Sequence, residues 1–447
     1  MNYELLKSAI EKEAKAQGLT DYEIYYMSSD ELSVDTLNKE PSSFASGNSG
    51  GICFRAVYDG KIGYAASQLM TEEEMCALVS RAKANATATE KPDTVGIFKG
   101  SESYAELKNQ DFTPKSAAEL KKITAELANE VYAYSDKVAN GTATYGITAG
   151  FEVRLSNSHG LDLSTKCGIN VIQLGAVICD DGKYENSYDL QELKGDVDLK
   201  ALAAKTVDDA IVKANAGNVA SGKYNVVISA KQMRTILSAF VSAFSAKMAQ
   251  MGMSLLKGKE GEKIASDIVN ITDDPMREGV SIQTNFDAEG VAAFRKAVVE
   301  NGVLKTLLHN RETAALAGVE STGNASKGSY ASPVAISPYA FCLEAGDKTL
   351  DELFEMAGDG IYVTALKGLH AGANAVTGDF SIESAGFKIV DGKLGEAVKT
   401  FTIAGNFFEL LKSISSISDT VEVAATGGFT TFGAPAVLIK EMSVAGK

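Results

Sequence analysis

The order of helix and strand signals constrains this chain most: they come in blocks, and one block occurs twice. The first predicted helix runs from Tyr3 to Gln17, with Leu6, Ile10 and Ala14 on one face and Gly18 at its end. Strand-like runs follow at Tyr22–Met27, Gly51–Tyr58 and Ile62–Ala66, the last two joined by the hairpin signal Asp59-Gly60. A second helix opens at Thr71, with Glu74 placed to complete a capping box and Met75, Leu78, Val79 and Ala82 as its apolar stripe.

The same order then returns. Ser116 and Glu119 form a second capping box ahead of the stripe Leu120, Ile123, Leu127 and Val131. Strands are expected at Thr142–Ile147, Glu152–Ser156, Leu161–Ser164 and Gly168–Ile178, with Asp181-Gly182 as another hairpin turn. A helix starts near Asp198, carrying Leu199, Leu202, Ala203, Val207, Ala210 and Ile211 at helical spacing. We read the repetition as a structural duplication, with units 1–90 and 114–217 joined through Ala86–Thr113.

The small, polar stretch from Ala216 to Gly222 marks a boundary, so the expected domains are 1–220 and 223–447. Beyond it come a strand at Tyr224–Ser229 and a long helix over Ala230–Met251. Glu300-Asn301-Gly302 is a hairpin signal inside Val298–Leu308. Two more helices are expected, Thr349–Met356, opened by a Thr349/Glu352 capping box, and Asn406–Ile417; Val437–Met442 closes as a strand. Blocks rather than strict alternation indicate an α+β fold of two domains, the second rich in antiparallel or mixed sheet.

Charge and composition remove several function classes. The net charge of −15 repels phosphate backbones, so direct nucleic-acid binding is not expected. Lys115, Lys121 and Lys122 read as a solvated helix face. Cys53, Cys76, Cys167, Cys179 and Cys342 are odd in number and contain no C-x-x-C, which argues for reduced thiols rather than disulfides or a zinc ribbon. No signal-peptide apolar region and no run of 18 apolar residues occurs, so the expected location is the cytoplasm, with no membrane partner.

Catalytic signals are sparse. His159, His309 and His370 lie far apart, and none has a His or Cys three or four residues away, as a zinc site on a helix would need. The glycine-rich Gly368–Gly378 has no Gly-Lys-Ser/Thr after it. Gly47–Gly51 and Gly323–Ser326 read as turns rather than nucleophile elbows, and Asp273-Asp274-Pro275 as a turn rather than a cation site. His370 with Asp379 is the most interesting pair, since its glycine-rich setting lets a ligand backbone approach; a histidine that only bonds its own loop is the competing reading.

Six strings in the second half carry a family resemblance: Ser254–Pro275, Phe286–Asn310, Ser321–Tyr330, Gly358–Leu394, Phe401–Ile414 and Ala434–Gly446. In order and spacing they resemble the TldD/PmbA family, whose members have been described as modulators of DNA gyrase and as a cytoplasmic metallopeptidase system. TldD-type members carry H-E-x-x-x-H on the first helix of the C-terminal domain and a cysteine ligand near the C-terminus. The matching positions here hold Leu237, Ser238 and Ser242, and no cysteine follows Cys342. The resemblance therefore implies the PmbA (TldE) branch: no catalytic residue and no metal in this chain, and zinc in a TldD-like partner subunit. It also implies an unfolded peptide as substrate, with His370, Asn374 and Asp379 as candidate peptide-groove residues. The isolated chain is expected to form a homodimer, and a heterodimer with its partner in the cell. Two alternatives stand beside this reading, a non-enzymatic modulator of DNA gyrase and a metal-independent hydrolase using His370.

Overall fold

The computed structural model describes residues 3–90, 92, 94–107, 112–427 and 430–447. The first unit contains α1 (Tyr3–Ala16), β1 (Tyr22–Leu37), β2 (Glu40–Tyr58), β3 (Lys61–Ser67) and α2 (Glu72–Ala88). The second contains α3 (Ala117–Tyr134), β4 (Ala143–Asn157), β5 (Asp162–Asp180), β6 (Lys183–Glu192) and α4 (Leu199–Ala214). Their strands merge into one antiparallel sheet of order β3-β2-β1-β4-β5-β6. Each unit is a three-stranded meander running outward from the central β1–β4 pair, so the repeated order in the sequence is a repeated order in space.

The turn chemistry explains the meanders. Asp59 and Gly60 take φ of 51° and 68°, and Asp181 and Gly182 take 48° and 77°, the left-handed pair that a two-residue hairpin demands. One face of the sheet is covered by helices, with Leu6, Ile10 and Leu78 against Ile24, Ile52 and Phe54 in the first unit. Leu127, Val131 and Val207 meet Ile172, Leu174 and Ile178 in the second. The Ser116/Glu119 box forms completely, whereas at Thr71 only half of the expected box forms. The Glu74 carboxylate turns instead to Arg81, 2.6 Å away.

The strands are longer than the sequence suggests. Thr142–Ile147 and Glu152–Ser156 belong to the single strand β4, and the next two expected strands to β5. Gly146 and Gly168 hide this continuity. A Cβ on Gly168 would stand 2.5 Å from the Phe112 ring, so the glycine is there for close approach rather than for a break. Gly47–Gly51, expected as a turn, is mid-strand in β2, where Gly47 pairs with Glu31 and Gly51 with Met27. Its Ser/Gly composition carries no apolar period, and the register comes from the long partner β1. Ser49 bonds the Ser29 hydroxyl at 2.8 Å and stands at no strand-to-helix elbow.

The second half begins with β7 (Gly222–Ile228), α5 (Ala230–Phe240), a 3-10 turn over Val241–Phe244 and α6 (Ala246–Gln250). Then come β8 (Ile271–Asp273), β9 (Lys296–Glu300), β10 (Val303–Leu304), α7 (Arg311–Ala317), β11 (Ala325–Ser326), β12 (Ala335–Ile336) and β13 (Ala340–Leu343). The chain continues through α8 (Leu350–Ala357), β14 (Gly360–Lys367), α9 (Leu369–Gly372), β15 (Asp379–Val390), β16 (Lys393–Asn406) and α10 (Phe407–Ser413). It closes with β17 (Ile414–Ile417), β18 (Glu422–Gly427), β19 (Thr430–Ala434) and β20 (Val437–Ala445).

One sheet runs β16-β15-β14-β7-β20-β17, and β16 also pairs with β20, closing five of its strands on themselves. The other runs β10-β9-β8-β13-β19-β18, with β13 and β19 parallel. The α+β class with mixed sheets is as expected. The apolar core of this half is built around α5, with Ile236, Leu237, Phe240, Phe244, Phe341, Phe401 and Phe407 all essentially inaccessible.

Two expected helices end early. Ala230–Met251 is interrupted at Ser245, where the Leu308 N–H donates to the Phe244 carbonyl at 2.8 Å and the Ala246 N–H to the Leu308 carbonyl at 2.9 Å. A distant strand segment thus takes backbone bonds that a continuous helix would have used. Asn406–Ile417 is helical only to Ser413, because Ile414 and Ile417 pair with Ile439 and Val437 of β20. Gly323–Ser326 keeps a turn at Gly323 (φ 66°), and Ala325–Ser326 then forms β11.

Candidate functional site

The helix expected to carry a family metal motif is α5. Ser229 caps it, its hydroxyl accepting from the Gln232 N–H at 3.4 Å. Leu237 is wholly buried on the face that carries Phe240, whose ring stacks on Phe407 at 4.6 Å and 7°. Ser238 and Ser242 are half-buried, and Ser242 lies past the end of α5 in the 3-10 turn. This donor set does not fit zinc. Leu237 offers only hydrocarbon, and a neutral serine hydroxyl is a poor substitute for imidazole or thiolate. Among the described residues, no three His, Cys, Asp or Glu side chains gather as a metal-binding group.

His370 lies in α9, Asn374 in the turn that follows and Asp379 at the start of β15, all three exposed, and α9 packs against α5. The turn is built by Asn374. Its Oδ1 accepts from Val376 N at 2.9 Å, and its own N–H donates to the Asp379 carbonyl at the same distance. Gly378 (φ 83°) closes the turn against Phe408. Hydrogen bonds from Asn406 Nδ2, at 3.0 Å, and from the Thr377 hydroxyl hold the Asp379 carboxyl below its ordinary value. Asp379 is therefore occupied by Thr377 of its own turn and Asn406 of β16, and no hydrogen bond joins it to His370.

The other histidines have structural settings. His159 Nε2 lies 2.8 Å from Asp21 Oδ1 at the rim of the first sheet. His309 is buried, its Nδ1 has no protein partner among the described residues, and burial pushes its imidazole below the ordinary value. Asp273-Asp274-Pro275, expected as a turn, is one only from Asp274 onward; Asp273 ends β8, pairing with Phe341 and Lys296. Asp274 Oδ1 caps Met276 N at 3.1 Å. Asp273 is fully buried, and the cation it meets is an ammonium: Lys296 Nζ at 3.1 Å, joined by Asn324 Nδ2 at 2.7 Å and Tyr339 N at 2.8 Å.

Sequence reasoning missed the polar seam between the two halves. Arg55 of β2 lies 3.1 Å from Glu23 of β1 and 3.7 Å from Glu289 of the second half. Glu289 also accepts from the Arg311 N–H at 2.9 Å, and Arg311 Nη1 donates to the Gly96 carbonyl at 2.8 Å. Nearby, Asp287 is buried and receives three backbone N–H groups. Burial first, and the neighbouring Glu289 second, push its carboxyl up to about 7. The available signal was an acidic pair inside the otherwise apolar run Phe286–Phe294.

This architecture recurs among solved proteins. A candidate modulator of a DNA gyrase from Thermotoga maritima matches with a TM-score of 0.89 and 27% identity, over 99% of this chain and 100% of that one. TldE from Thermococcus kodakarensis matches in fold with a TM-score of 0.81 and 23% identity, over 98% and 100%. Sequence relatives include an uncharacterized protein of Methanocaldococcus jannaschii, 30% identical over 402 residues, which are 89% of this chain and 91% of that protein. Metalloprotease PmbA of Escherichia coli O157:H7 is 24% identical over 343 residues, 75% of this chain and 71% of its own.

The fold thus defines the class, a duplicated antiparallel sheet joined to a mixed-sheet half around one buried helix. Residues 221–446 match the PmbA/TldA metallopeptidase C-terminal domain, and residues 22–86 match domain 1 of the same family. The chain belongs to the PmbA/TldD metallopeptidase family. Among the described residues, no helix is long and apolar enough to cross a membrane.

Proposed function

We propose that this chain is a PmbA/TldE-type subunit that acts with a TldD-like metalloprotein on unfolded peptides, without holding zinc or catalysing cleavage itself. The observation that carries the reading is the state of α5, where Leu237 sits in an aromatic core and Ser238 and Ser242 flank it. A helix face committed to Phe240, Phe407 and Phe380 supports packing, not metal chemistry. Relatives bearing both PmbA and TldD names support a two-branch system.

In this reading zinc belongs to the partner, and this chain completes the site that holds the peptide. His370, Asn374 and Asp379 are our candidates for contact with peptide backbone, being exposed, adjacent to α5 and fixed by their own turn. The metal-independent alternative asks Asp379 to orient His370, yet Asp379 is engaged by Asn406. Direct gyrase or DNA modulation is opposed by the net charge of −15, which repels phosphate backbones.

The test is peptide cleavage by the purified chain alone, by a TldD-like partner alone and by the two together. The reading expects chelator-sensitive cleavage only when the partner is present, increased by this chain. Cleavage by the partner that is indifferent to this chain overturns it.

A further inference from the structure

One edge of the first sheet stays open over a long run. β3 covers β2 only from Ile52 to Tyr58, so from Glu40 to Gly51 the strand pairs with β1 alone among the described residues. Residues Glu40–Ser49 are exposed on both faces of the sheet. The run is nonetheless regular. Asp35 accepts from the Ser43 hydroxyl, Asp30 accepts from the Asn48 amide, and the Ser29 and Ser49 hydroxyls bond each other. The one register shift lies at Asp35/Thr36, opposite Pro41 and Ser43, and from there to Gly50 the pairing is unbroken.

Every second residue of such a run turns its N–H and C=O away from the neighbouring strand, and an uncovered row of these groups is a template for another strand. Proteins blunt such edges with charge, proline, bulges or shortness. The far edge of this same sheet does so: β6 carries Lys183, Glu185, Asp189 and Glu192. On β2, Glu40, Pro41 and the register shift protect only the tip. Ser43–Gly50 carries no charge, no proline and no shift, over about 27 Å of strand.

We infer that two copies of this chain join edge to edge through Ser43–Gly50, extending the sheet across a two-fold axis. A second copy presents the same uncharged run, and two-fold pairing makes the two strands antiparallel. Side chains directly opposite must share a face, so the axis falls at Ser46 or at Gly47. Ser43–Ser49 or Phe44–Gly50 then pairs with itself from end to end. Phe44, 52% exposed, is the one large apolar side chain of the run, and it gains cover from the second copy. A peptide is a poorer occupant, because both faces are open beside small side chains and nothing there reads a peptide's side chains. The inference stands independently of the peptidase reading.

Sedimentation analysis of the full chain tests it, at about 0.15 M salt, where screening within about 8 Å limits repulsion between two acidic chains. Wild type is expected to be a dimer at micromolar concentration. Ser46 makes no side-chain hydrogen bond among the described residues, so it can be replaced without loss inside one copy. Ser46→Lys brings like charges together at the axis and should weaken dimerisation at least about tenfold while circular dichroism stays unchanged. Ser46→Glu should do the same, and an equimolar mixture of the two variants should recover the dimer. If Ser46→Lys does not fold, Ser46→Glu alone against wild type carries the test. A wild type that is monomeric, or that pairs only once a TldD-like chain is added, overturns the proposal. So does a dimer that neither variant weakens, or a mixture that stays dissociated.

Discussion

Replacing Asp287 by asparagine should change how stability depends on pH. In the unfolded chain this carboxyl loses its proton near the ordinary aspartate value; in the folded chain it keeps it up to about 7. Between those values the folded state binds more protons than the unfolded state. Stability therefore falls as pH rises through this window and levels off above about pH 7. Each unit is worth about 1.4 kcal/mol, so wild type should lose about 2 kcal/mol from this group between about pH 5.5 and pH 8. The lower limit stays clear of the isoelectric point near 4.9. Asparagine cannot ionise. Its amide must also turn N–H toward one of the three backbone donors, a pH-independent cost of about 1–3 kcal/mol. The variant should start weaker and then close the gap by about 2 kcal/mol across the same range. The chain has 16 tyrosines and no tryptophan, so urea unfolding can be followed by tyrosine fluorescence. Parallel stability–pH profiles for the two proteins would refute the reasoning.

The other predictions concern separate parts of the molecule. Arg55→Met leaves Glu23 and Glu289 buried without their cation and should cost about 3–5 kcal/mol in urea unfolding, as one-sided loss of a buried ion pair does. Gly63→Ala places a Cβ 2.2 Å from the Ala82 carbonyl, forcing α2 off β3, and should cost at least as much as an overpacked core, about 1–3 kcal/mol, read by thermal unfolding. His370→Ala should raise the KM of the assembled pair for peptide and leave kcat unchanged; a loss confined to kcat would place His370 in the chemistry instead.

The sequence showed local rules well and long-range ones poorly. Asp59-Gly60, Asp181-Gly182 and Asn301-Gly302 all form the turns their chemistry demands, and the capping boxes at Ser116 and Thr349 close completely. These depend on neighbours a few residues away. The break at Ser245 depends on Leu308, and the strand at Gly47–Gly51 depends on β1, so neither left a local mark. The expectation that Leu237, Ser238 and Ser242 stand in place of a metal motif came only through the family resemblance. The structure adds why the position tolerates leucine, which is the Phe240–Phe407 stack around it. The seam of Glu23, Arg55 and Glu289 was not legible, because Glu289 lies more than two hundred residues along the chain from Arg55.

Zinc content and peptide cleavage measured together on the purified chain test the account most directly. With Leu237, Ser238 and Ser242 offering no zinc ligand and no metal-binding group of His, Cys, Asp or Glu among the described residues, the account predicts no stoichiometric zinc and no chelator-sensitive cleavage until a TldD-like partner is added. One zinc per chain, with cleavage by this chain alone that a chelator abolishes, would contradict it.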